Sequence, residues 1–251
     1  VINDLLYVCP VCGFACTARE LPPADMDGAC CPIKGHPGTK LVAQRRPPIT
    51  LRQRALNYNG TYPDRPRLVV WEHPKTKKEW LYGVWEIGND YKNKAGYYGE
   101  YPPGFLDRLK TLFYEVPSPR VLHCFAGTVP PGNPFGGVRV DIRQDMLTPT
   151  LRGDARTLPF LEASFDLELY DPPYSSADAE NYGTGLPVSR LVTQEAARVC
   201  RAGGHLAWLD TSKPMYQKRL WELIGEIGVA RSTMHRVRML FIFRRTQELV
   251  Y

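Results

Sequence analysis

The chain has 251 residues, 43% hydrophobic and 23% charged, with a net charge of +6, which suits one sizeable domain plus a smaller annex and leans mildly towards anionic partners. No apolar run approaches the roughly 20 residues that span a bilayer, which excludes a transmembrane helix, and the opening residues, with Asn3 and Asp4, do not read as a signal peptide. Five of the seven cysteines fall within the first 31 residues, which argues against a distributed disulfide framework and for a local metal site in a reducing, cytoplasmic compartment.

The first module spans residues 1–45. Cys9-Pro-Val-Cys12-Gly13 has the form of a zinc knuckle, because two thiolates three positions apart reach one ion and glycine permits the tight turn. A second pair, Cys31 and His36, five positions apart, flanks a Pro/Gly turn. Together Cys9, Cys12, Cys31 and His36 make a Cys₃His set of the closed, structural kind, with Cys16 or Cys30 able to replace one ligand. The competing readings of Cys9-x-x-Cys12 are a redox pair and a disulfide.

Residues 46–95 form a basic, aromatic, β-rich annex after the linker Arg45-Arg46-Pro47-Pro48. Leu68–Trp71 and Trp80–Trp85 read as two strands joined by the charged turn Lys75–Lys78, a hairpin. Cations interleaved with rings suit a nucleic acid; the same rings serve equally well as a small core.

The third module spans residues 96–251. Leu106, Leu109 and Phe113 have helical spacing, with Arg108 and Lys110 opposite, and Tyr101-Pro102 stands just before them. Arg120–Cys124 reads as a strand, then Phe125-Ala126-Gly127 as a loop. His123 at the end of that strand is either a cofactor ligand or a strand-end histidine. Gly137–Asp141 reads as a second strand ending in an acid, where nucleotide-binding folds place a carboxylate on ribose hydroxyls. Gly153-Asp154-Ala155 opens a turn that runs to Phe160.

Phe165, Leu167 and Leu169 then alternate as in a half-buried strand, which stops at Asp171-Pro172-Pro173-Tyr174. Neither proline donates to a ladder, and each holds its predecessor extended. The result is a rigid corner at the carboxyl end of a strand, the edge where open α/β sheets bind ligands, with an acid on one side and an aromatic ring on the other. Residues 175–187 are polar with late glycines, as in a loop that closes over substrate. A helix over 188–199 ends at Gly203-Gly204, the strand His205–Leu209 follows, Leu220–Ile227 reads as an amphipathic helix, and Arg236–Phe243 as closing strands.

In this order the segments resemble the S-adenosylmethionine-dependent DNA amino-methyltransferases, the adenine-N6 and cytosine-N4 enzymes with a D/N/S-P-P-Y/F/W tetrapeptide, over residues 96–245. The resemblance implies a Rossmann-like α/β fold with a mixed seven-stranded sheet. It also implies a cofactor site of Tyr101, Pro102, His123, Phe125, Ala126, Gly127, Asp141, Asp154 and Ala155, and a catalytic corner of Asp171, Pro172, Pro173 and Tyr174. The chain departs from the family pattern at His123, where an acid is usual, and at Val129, where a second glycine is usual.

An exocyclic amine is a poor nucleophile because its lone pair is delocalised into the ring. Accepting its hydrogens on Asp171 and the Pro172 carbonyl favours a more tetrahedral nitrogen, while Tyr174 stacks on an extruded base. The resemblance implies DNA as the substrate, adenine N6 ahead of cytosine N4 because Asp heads the tetrapeptide, with RNA bases sharing the same corner. Recognition falls to residues 1–95, the 175–187 loop, an accessory partner or a second copy of the chain. The rival class is a non-catalytic nucleic-acid-binding protein on a degenerate methyltransferase fold, and a third is an enzyme of a modified cofactor or a free nucleotide. Purified protein is expected to carry about one zinc per chain, and elemental analysis that finds none contradicts the Cys₃His reading.

Overall fold

A computed structural model of the protein describes residues 5–8, 15–17, 42–45, 49–88, 101–113, 120–143, 151–231 and 237–246. The chain folds as two units, Val1–Ile49 and Thr50–Tyr251. In the first, strands β1 (Leu5–Val8), β2 (Ala15–Thr17) and β3 (Val42–Arg45) form an antiparallel sheet in the order β2-β1-β3. Cys9, Cys12, Cys31 and His36 lie outside the described residues.

The second unit begins at a capping box. Thr50 accepts from the Gln53 amide at 3.2 Å and Gln53 accepts from the Thr50 amide at 2.9 Å, which starts helix α1 (Leu51–Thr61). Asn59 then bonds both the amide and the carbonyl of Leu68, at 2.8 and 2.9 Å, and so fixes the entry to the hairpin β4 (Val69–Glu72) and β5 (Glu79–Ile87). Helix α2 (Phe105–Leu112) packs Phe105, Leu109 and Leu112 inward; of the expected face Leu109 and Phe113 are buried, while Leu106 is only partly so. Arg108, expected on its polar face, is buried instead, where it donates to the Glu86 carbonyl at 2.7 Å and to the Tyr58 hydroxyl at 3.3 Å. Its long stem and fork of donors let it tie α2 to both α1 and β5.

The remaining elements are β6 (Val121–Cys124), β7 (Val138–Asp141), β8 (Leu151–Arg152), β9 (Phe165–Tyr170), α3 (Ser176–Asn181), α4 (Ser189–Val199), β10 (Cys200–Asp210), β11 (Trp221–Arg231) and β12 (Arg238–Arg245). One nine-stranded mixed sheet joins them in the order β4-β5-β11-β12-β10-β9-β6-β7-β8. The expected number was seven. The two additional strands are the hairpin β4–β5, because β5 pairs in parallel with β11, Leu81 opposite Gly225. Strands β8, β7, β6, β9 and β10 run parallel, and β12 is inserted antiparallel between β10 and β11.

Of Leu220–Ile227, expected as a helix, all but Leu220 lies in the strand β11. A central strand covered on both faces carries a near-continuous apolar run, which also satisfies helical spacing. Gly225 and Gly228 weaken the helix, and a side chain at 225 would stand 3.0 Å from the Leu81 carbonyl oxygen of the neighbouring strand. Gly203-Gly204 likewise lie inside β10 instead of ending α4, at the register irregularity between Cys200 and His205.

The core lies on both sides of the sheet. Tyr58, Trp85, Phe105 and Leu109 fill the side covered by α1 and α2, and Val192, Ala196, Trp208, Trp221 and Phe243 the side covered by α4. Strand β9 sits between them and is buried on both faces, so Glu168 is fully enclosed and neither carboxylate oxygen has a hydrogen-bond partner. Burial pushes its pKa well above the ordinary 4.5, against the smaller pull of the Tyr170 hydroxyl and the Cys200 thiol. Among the described residues, no helix is long and apolar enough to cross a membrane.

The raised pKa sets a pH dependence. The neutral Glu168 carboxyl is compatible with the fold and the ionised one is not, so its compatibility is full below the unfolded pKa near 4.5 and stability falls as pH rises towards the folded value. Glu168→Gln is expected to abolish this slope and to raise the melting temperature at pH 8 by a few degrees. Coincident pH profiles for the two proteins contradict the account.

Candidate functional site

Chain order in the sheet reverses between β6 and β9. From β6 the chain moves outward through β7 and β8, and from β9 it moves the other way through β10. Such a switch point opens a crevice at the carboxyl edge, and here the loops after β6, β7, β8 and β9 enclose a cavity of ≈ 610 Å³. Of the expected site residues, Phe125, Gly127, Asp141, Asp154, Ala155, Asp171 and Pro173 line it together.

The first loop is held by its backbone. The Ala126 amide donates to the Val140 carbonyl at 3.0 Å and the Val129 amide to the Ala126 carbonyl at 2.9 Å. Phe125 adopts a φ of 58° and Gly127 one of 47°, so the chain turns back on itself at once. A left-handed phenylalanine costs about 1–3 kcal/mol and persists only where the surroundings over-determine it, as at functional sites. Val129, which stands where the family has its second glycine, is buried in the core beneath the loop. It does not line the cavity.

Asp141 ends β7 and braces this loop. Its Oδ2 accepts the Gly127 amide at 2.9 Å and its Oδ1 accepts the Arg143 amide at 3.0 Å. Each oxygen keeps a second lone pair. Asp154, in the turn after β8, is bound by Arg156, whose Nη2 reaches Oδ2 at 2.6 Å; that hydrogen bond holds its carboxyl below the usual range. Arg143, Arg152 and Arg156 all line the cavity. None of these arginines has a periodic pattern around it in the sequence: Arg143 and Arg156 sit in loops, and Arg152 in the two-residue strand β8.

Asp171 leaves the end of β9. Burial pushes its pKa up to about 6, against the opposing pull of the Arg238 charge and the Tyr174 hydroxyl, while Asp210 adds a smaller push upward. The Tyr174 hydroxyl donates to Asp171 Oδ1, and the Arg238 guanidinium lies over the Tyr174 ring, 5.0 Å from its centroid. Neither Arg238 nor Asp210 had a sequence signal of its own. Both become part of the site only because β12 begins, and β10 ends, at this edge.

Other expected residues lie elsewhere. His123 is fully buried on the opposite face of β6, with its Nε2 2.9 Å from the Gly136 carbonyl, and burial pushes its pKa down to about 4. Strand alternation accounts for this: Cys124 lines the cavity, so its neighbour His123 points away. His123 therefore does not line the cavity. Tyr101 and Pro102 are buried behind the site, with Tyr101 stacked on Phe105 at 5.2 Å, and Ala126 and Pro172 are buried in its frame. Within 175–187, α3 forms first, capped by the Ser175 hydroxyl on the Asp178 amide at 3.1 Å, and only residues 182–187 line the cavity.

No family model and no curated protein sequence matches the chain. Solved structures similar to it include TrmN from Thermus thermophilus, 20% identical over 61% of this chain and 51% of that one, with a TM-score of 0.44. The PH0226 protein from Pyrococcus horikoshii OT3 is 16% identical over 56% of this chain and 88% of its own, with a TM-score of 0.38. A SAM-dependent methyltransferase from Methanosarcina mazei is 11% identical over 52% and 94%, with a TM-score of 0.35. The chain spans about half the length of the TrmN structure it matches. At these scores the likeness is loose, and the reading of the site rests on its own geometry.

Proposed function

We propose that the protein is an S-adenosylmethionine-dependent methyltransferase that acts on an exocyclic amino group of a nucleic-acid base, adenine N6 of DNA first. The observation that carries the reading is that Asp171 and Pro173 of the corner line one cavity together with the Gly127 loop, Asp141 and Asp154.

The residues fit the cofactor. The cavity has the volume of a nucleoside-sized pocket. Asp141 keeps two acceptor sites that would take the ribose hydroxyls, and Gly127 adds no side chain to the loop. Asp154 and Ala155 supply a polar edge for the adenine. Bound there, S-adenosylmethionine supplies an electrophilic methyl group.

The chain's own part is positioning. Asp171 Oδ1 is occupied by the Tyr174 hydroxyl, which leaves Oδ2 to accept one amine hydrogen, and the Pro172 carbonyl accepts the other. A carboxyl with a pKa of about 6 is also a better proton acceptor than an ordinary aspartate, yet is still ionised at neutral pH. Arg238 covers one face of the Tyr174 ring, and the other is the face a base would stack on. The zinc reading of Cys9, Cys12, Cys31 and His36 stands beside this as a separate proposal for residues 1–45.

Asp171→Ala is expected to lower methyl transfer to adenine-containing DNA by about 100-fold or more while changing S-adenosylhomocysteine affinity by less than about threefold. Undiminished turnover contradicts the mechanism. Only the ionised carboxylate accepts the amine, so the rate is expected to rise as pH climbs through about 6 and then to level off. Tyr174→Phe removes a donor that lowers the Asp171 pKa, so its rising limb moves to higher pH; a limb that stays in place argues against Asp171 as the titrating group.

A further inference from the structure

Strand β11 is antiparallel to β12, which is antiparallel to β10, so β11 ends and β12 begins at the same edge as Asp171. The residues at those two positions are Arg231 and Arg238. Both are partly buried, and Arg231 Nε and Arg238 Nη1 are shut off from solvent without a hydrogen-bond partner among the described residues. Other arginines of this half of the sheet are matched: Arg244 meets Glu222 at 2.6 Å and Arg201 meets Asp166 at 2.5 Å. Among the described residues, neither Arg231 nor Arg238 has an ion-pair partner.

Two guanidinium groups in one partly dry place repel each other. Burial, and after it the charge of Arg238, push the Arg231 pKa below its ordinary value. Asp171 balances Arg238 in part, but its Oδ1 is taken by the Tyr174 hydroxyl. An enclosed N–H without an acceptor and a cation beside a like charge both destabilise the protein alone, and a single oxyanion relieves both. Arginine is the side chain suited to phosphate oxygens, and Arg238 is already held in place on the Tyr174 ring.

We propose that Arg231 and Arg238 form an oxyanion clamp on the substrate side of Asp171 that takes the phosphodiester adjoining the target base. The clamp rests on the base-methylation reading above and deepens it, because it selects a nucleotide within a strand over a free base or an amide side chain. A base that reaches Asp171 carries its phosphate only one sugar away, and the clamp flanks Tyr174 on that side. Arg238 is thereby a positioning residue twice over, for the ring and for the backbone.

The test is binding of a short adenine-containing single-stranded DNA, by fluorescence anisotropy over a salt series, to the full chain and to Arg231→Gln and Arg238→Gln. Each variant is expected to bind about tenfold more weakly and to lose about 0.7 from the slope of log affinity against log salt. Calorimetry with S-adenosylhomocysteine is expected to give unchanged affinity in both. A second arm needs no variant: a neutral methylphosphonate linkage beside the adenosine is expected to weaken binding to the unaltered protein by a similar factor. Equal affinity and slope in all three proteins, with no effect of the neutral linkage, overturns the clamp and leaves the base-methylation reading standing. A protein that binds S-adenosylhomocysteine but no DNA at any salt overturns both.

Discussion

The parallel pairing of β6 with β9 is the constraint on which the site depends. His123 lies opposite Leu169 and Cys124 opposite Tyr170, so the strands end level with one another. Each then stops abruptly, β6 at a left-handed Phe125 and β9 at two prolines. A slip of one residue would turn Cys124 and Tyr170 to the other face of the sheet and separate the loop at Gly127 from the Asp171 corner. The register is secured by what lies beneath it. His123 is tied to the Gly136 carbonyl, and Gly137, at a φ of 88°, passes so close to the Val121 carbonyl that a side chain would stand 2.5 Å from it.

Around that frame the polar groups follow one pattern: backbone amides are satisfied by carboxylates, and carboxylates keep capacity facing the cavity. Asp141 closes the loops on either side of it with one oxygen each. Asp171 gives one oxygen to Tyr174. Such pre-arrangement suits a reaction limited by orientation more than by proton transfer, since no group has to reorganise as the substrate enters. The strain of Phe125 and the unmatched cations at Arg231 and Arg238 are local costs concentrated at this edge, where a ligand can offset them.

The sequence revealed the corner at 171–174, the strand and helix over 188–209, the amphipathic α2 and the acids Asp141 and Asp154, because each is a local pattern with a local cause. It was silent where the cause is tertiary. Glu168 reads as the solvent side of an alternating strand, yet a parallel strand between two helical layers has no solvent side. Leu220–Ile227 fits a helix as well as a buried strand, and only its place between β5 and β12 decides. His123 and Val129 look like defects in a cofactor loop until the pleat turns one into the opposite core and the tight turn carries the other beneath it. Arg238 and Asp210 belong to the site through sheet order alone, which no spacing in the sequence encodes.

Calorimetric titration of the purified chain with S-adenosylmethionine, with S-adenosylhomocysteine alongside, tests the central claim most directly. Saturable binding of one ligand per chain, with an affinity on the order of micromolar, is the predicted result and means that the Gly127 loop holds the cofactor despite Val129. No heat of binding, in a sample whose melting transition shows it folded, contradicts the account and leaves the cavity to a different ligand.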